Sequence, residues 1–65
     1  MKLNTQPNIP DPDGFYEELI EAQREMDDVQ AQAMNARLVL VLANHIGDRQ
    51  VLSEAIRLAA RPDEA

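Results

Sequence analysis

Residues 29–46, VQAQAMNARLVLVLANHI, hold a single charged side chain, Arg37, and that stretch constrains everything the rest of the chain can do. Its Ala, Leu, Met and Gln content favours helix. At about 100° per residue Ala36, Val39, Leu42, Ala43 and Ile46 share one face, while Met34, Leu38 and Val41 lie on a second. The polar stripe is narrow, made of Gln30, Arg37 and Asn44 at intervals of seven. A helix apolar over most of its circumference needs neighbours on more than one side. In a chain of 65 residues few neighbours are on offer, because proteins this short bury only about 60% of their unfolded surface.

The flanking segments supply two further helices and an arm. Pro7, Pro10 and Pro12 each remove a backbone donor and bias the preceding residue to extended backbone. Residues 1–12 are therefore expected as an extended N-terminal arm, with Leu3 and Ile9 as its anchors beyond Met1. Asp13 before Gly14 reads as a helix start. Phe15, Leu19, Ala22 and Met26 then repeat at helical spacing, which predicts an amphipathic helix over 14–26. Its outer face carries Glu17, Glu21 and Glu25 one turn apart, a like-charge ladder relieved only by Arg24. Asp27 and Asp28 break the chain and cap the long helix, expected over 29–46. Gly47 suits the residue after its end, where a left-handed backbone costs glycine little, and Asp48 caps a third helix over 49–60. The buried stripe expected there is Val51, Leu52, Ala55, Ile56 and Ala59, and Pro62 marks the end. The pattern predicts a small all-α protein: a three-helix antiparallel bundle or helical hairpin spanning 13–61, with an arm over 1–12 and a tail over 62–65.

Charge narrows the function classes. Twelve acidic residues against six basic ones give a net charge of −6, the wrong sign for a generic nucleic-acid binder. Residues 1–28 hold eight acids and two bases while 29–65 hold four of each, so the imbalance belongs to the arm and first helix. With no cysteine, a disulfide scaffold, a thiol nucleophile and a cysteine zinc site are excluded, and a reducing, cytoplasmic setting is expected. The longest apolar run, residues 38–43, is far short of the roughly twenty needed to span a bilayer. No basic-then-apolar leader opens the chain.

Candidate chemistry is sparse. His45, the lone histidine, sits at the end of the long helix near Asp48, where a general base would need a nucleophile and oxyanion donors that no nearby motif supplies. It reads instead as part of a helix corner with Gly47 and Asp48, interacting with the terminal carbonyls. The acids between Asp11 and Asp28 lack calcium-loop spacing and read as a solvated face or a docking patch for a basic partner. Arg49, Gln50, Ser53 and Arg57 after the corner invite a helix-turn-helix comparison, but Glu54 lies among them. Neither a catalytic, a metal nor a cofactor site is expected. The expected site is an interface made by Met34, Arg37, Leu38, Val39, Val41, Leu42 and Asn44. Arg37 and Asn44 are candidates for fixing helix register.

The stretches PDPDGFYEELI (residues 10–20) and MNARLVLVLANHIGD (residues 34–48) resemble a family of short, all-helical proteobacterial proteins classed as a domain of unknown function. The resemblance covers nearly the whole chain. It implies a stand-alone small protein with no assigned activity, and an accessory role beside flavin-dependent monooxygenases and other enzymes of aromatic-compound breakdown. Residues and resemblance together lead to a non-enzymatic interaction protein, a homo-oligomer or accessory subunit. The alternatives are a small subunit of a flavin-dependent or aromatic-degradation enzyme, and a DNA-binding or antitoxin-like regulator. No nucleic-acid, membrane or small-molecule partner is expected.

Overall fold

The computed structural model describes residues 2–62 and places three helices in them: α1 (Pro12–Ala22), α2 (Asp28–Ile46) and α3 (Arg49–Ala59). No strand occurs among the described residues. The all-α class follows the sequence pattern; of the tail expected over 62–65, all but Pro62 lies outside the described residues.

Each helix starts on an aspartate. Asp11, two residues before the start read from the sequence, caps α1, and its Oδ1 accepts the Gly14 N–H at 3.1 Å. The earlier start has a simple cause. Pro12 occupies the first helical position, where its missing N–H would have had no intrahelical partner and its fixed φ suits the helix. A side chain at position 14 would collide with the Asp11 carboxylate, so glycine there makes room for the cap.

α1 also ends earlier than the apolar spacing suggested, at Ala22 instead of Met26. No basic residue stands in its last turn, and Glu18, Glu21 and Glu25 crowd the negative end of the helix dipole. The backbone tightens into short turns instead, with Gln23 N–H donating to Ile20 O at 3.1 Å, Arg24 N–H to Glu21 O at 3.2 Å and Met26 N–H to Gln23 O at 3.0 Å. Asp27, in extended backbone, then opens α2 through a capping box. Its Oδ1 accepts the Gln30 N–H at 2.8 Å while Gln30 Oε1 accepts the Asp27 N–H at 3.0 Å.

The corner between α2 and α3 takes two residues. Gly47 adopts φ 72° and donates its N–H to Ala43 O at 3.0 Å. Asp48 Oδ1 accepts the N–H groups of Gln50 at 3.0 Å and Val51 at 3.2 Å. Both residues act as the sequence suggested.

Tertiary packing is slight. Val51, 6% exposed, is the only buried residue among those described, and Leu3, Leu19, Met34, Leu38, Leu52 and Ala55 are half-buried. No two helices pack along their lengths. The radius of gyration is 13.7 Å, against about 10.7 Å for a compact domain of this length. Ile56 and Ala59, expected on the buried stripe of α3, are exposed, because among the described residues no element lies over that end of the helix.

Among the described residues one hydrogen bond ties the arm to a helix. Leu3 donates its N–H to Glu54 Oε2 on α3 at 3.1 Å, whereas Ile9, the second expected anchor, is 55% exposed. A hydrogen bond to a charged acceptor at a half-exposed site contributes on the order of 1 kcal/mol. Glu54→Ala should therefore speed amide exchange at Leu3 several-fold while leaving the helical circular dichroism unchanged, and Glu54→Gln, which keeps an acceptor oxygen, should fall between. Unaltered exchange at Leu3 in Glu54→Ala would show that the arm is held by other means.

Candidate interaction surface

The most apolar concavity lies between the C-terminal half of α2 and the inner side of α3, a cleft of about 530 Å³. The Gly47–Asp48 corner sets it, since reversing the chain there brings both helices to one hollow. Its rims are Val39 (63% exposed), Leu40 (70%) and Ile56 (64%). Its floor is Ala43, Leu52 and Ala55, all half-buried. The one ionised lining side chain is Arg49, whose guanidinium donates to Ser53 Oγ.

The interface residues read from the sequence divide between three sides of α2. Val39 and Leu42 line the cleft. Met34 and Leu38, half-buried, face the covered side, with Val41 exposed at its edge. Arg37 and Asn44 are exposed, and Arg37 shares a shallow hollow with Glu25, Met26 and Gln30 without forming an ion pair among the described residues. The cleft also takes in Ala43 and Ile46 of α2 and the α3 residues Leu52, Ala55 and Ile56, none of them in the interface expected from the sequence, and Leu40, which neither apolar face included. Leu40 lies at the edge of the first apolar face, on the side toward Arg37 and Asn44, and only the placement of α3 shows that this face extends to include it.

Residues 3–61 match the family model described as Protein of unknown function (DUF2783). The chain belongs to this family. The match takes in the arm from Leu3 and all three helices. No curated protein and no solved structure matches the chain.

The polar candidates of this DUF2783 chain do not converge on one another. His45 is exposed in the last turn of α2, while Asp48 Oδ1 is engaged by the first turn of α3. On the outer face of α3, Arg49 is held by Ser53 and Glu54 by the arm, so the face is mixed in charge. The acids of α1 stay in solvent, where Glu21 pairs with Arg24 with both side chains about two-thirds exposed. Such a pair adds little to stability. Among the described residues no cluster of His, Asp and Glu could hold a metal ion. Nor, among those residues, is any helix long and apolar enough to cross a membrane.

Proposed function

We propose that this protein is a non-enzymatic association module whose α2–α3 cleft is covered by a protein partner in its working state. One observation carries the reading: the chain exposes 6153 Å², whereas a compact monomer of 7.3 kDa exposes roughly 4200 Å². The difference, about 2000 Å², is more than the ~800 Å² that each partner contributes to a standard protein interface. Helix lengths support the same reading. α1 and α3 have 11 residues each, below the roughly 12–15 at which isolated helices become even marginally stable in water. Their stability must come from packing, and among the described residues only Val51 is fully buried. The exposed acids of α1 would act at a distance, orienting the approach of a partner without adding much affinity.

Photochemical footprinting in living cells tests this directly. Normalised to Tyr16, an exposed aromatic residue of α1 outside the cleft, Leu40 and Ile56 should be labelled several-fold less in cells than in the dilute purified chain. Leu40 and Ile56 labelled in cells as strongly as in the dilute chain would refute the reading.

A further inference from the structure

The cleft has a shape and a charge that suit one occupant. Large rim residues, Val39, Leu40 and Ile56, stand beside a floor in which Ala43 and Ala55 leave space. Ridge and hollow lie side by side on the same surface. A surface of that kind is complementary to itself under a two-fold rotation, the rim of each copy entering the floor of the other. From the assignment of the cleft as an association surface, we infer that its occupant is a second copy of this chain, two α2–α3 pairs closing into a four-helix dimer.

Charge favours the same occupant over a basic protein. The acidic excess is confined to residues 1–28, and residues 29–65 carry four acids and four bases. Two paired clefts bring together one cation each, Arg49, whose guanidinium donates to Ser53 Oγ. That is a smaller like-charge conflict than two acidic α1 faces would meet, while a basic partner would be drawn to α1 and repelled by Arg49 at the cleft. The acidic ladder also opposes pairing through α1, since like charges brought together across an interface are costly. The chain as a whole exposes enough surface beyond that of a compact monomer to supply the roughly 800 Å² that each partner of a standard interface contributes.

Val39 and Val41 provide a matched test: same residue type, equal exposure, the same helix, and about 200° apart around it. In sedimentation equilibrium at tens of micromolar the full chain should weigh twice 7.3 kDa. Val39→Glu would place a carboxylate in the apolar seam and should weaken the dimer by on the order of a hundredfold or more, giving monomer. Val41→Glu should remain dimeric. The thermal midpoint of the unsubstituted chain should also rise with protein concentration, as mass action requires, which keeps the test independent of whether Val39→Glu folds. A mass of one chain, or of three or more, overturns the inference, as does dissociation by Val41→Glu with Val39→Glu unaffected, or a midpoint independent of concentration. A purified monomer whose Leu40 and Ile56 are shielded in cells would overturn self-association alone and leave the association surface standing; a monomer whose cleft is also labelled in cells would remove both.

Discussion

Val51→Asp should abolish the cooperative thermal transition. Val51 is the one buried residue among those described, and it sits in the first turn of α3 with its N–H held by Asp48. An ionised carboxylate there would lose its water without gaining a partner, a cost of several kcal/mol. Native domains have only about 5–15 kcal/mol of stability in total, and one this small is at the low end. Val51→Ala is the graded version. Removing two methyl groups from a packed site costs roughly 2 kcal/mol, counting transfer and the space left behind. At about 4–8 °C per kcal/mol for a domain of this size, the melting temperature followed by circular dichroism should fall by roughly 8–16 °C. An unchanged melting temperature in both variants would mean that the contacts around Val51 do not hold the fold together.

The corner gives the second large effect. A Cβ built on Gly47 would meet nothing closer than Asn44 O at 3.8 Å, so any penalty for a side chain there is conformational and not steric crowding by neighbours. At φ 72° the left-handed backbone costs a residue with a Cβ about 1–2 kcal/mol. Gly47→Ala should lower the melting temperature by roughly 5–15 °C. Gly47→Asn should lower it less, because asparagine tolerates that region better than other side chains. If Asn and Ala behaved alike, the left-handed backbone would not be the origin of the loss.

Much of this architecture is written in short-range chemistry. The corner was legible because Gly47 and Asp48 act within three or four residues of themselves, and the break at Asp27 for the same reason. The start of α1 was misplaced by two residues because two aspartates compete there, and the proline between them decides for Asp11. Its end was misplaced because apolar spacing continues to Met26 while the charges around Glu21 and Glu25 do not support a helix that far. What lay beyond the sequence was tertiary. Periodicity shows that α2 is apolar on two faces, but it does not say which face α3 will adjoin, so Leu40 and Ile56 could not be assigned to a common hollow. The docking of Leu3 on Glu54 is likewise a contact across the chain that no local pattern encodes.

The three aspartate caps have a consequence for the order of events in folding. Asp11, Asp27 and Asp48 fix where each helix begins using donors two or three residues away, so turns can nucleate without waiting for distant segments to meet. Helix formation of this kind is complete within microseconds. If a second copy covers the cleft, as proposed, the rate of that step is set by encounter. The two processes are separated in time by orders of magnitude, and a refolding experiment would resolve them as a fast phase indifferent to concentration and a slow phase proportional to it.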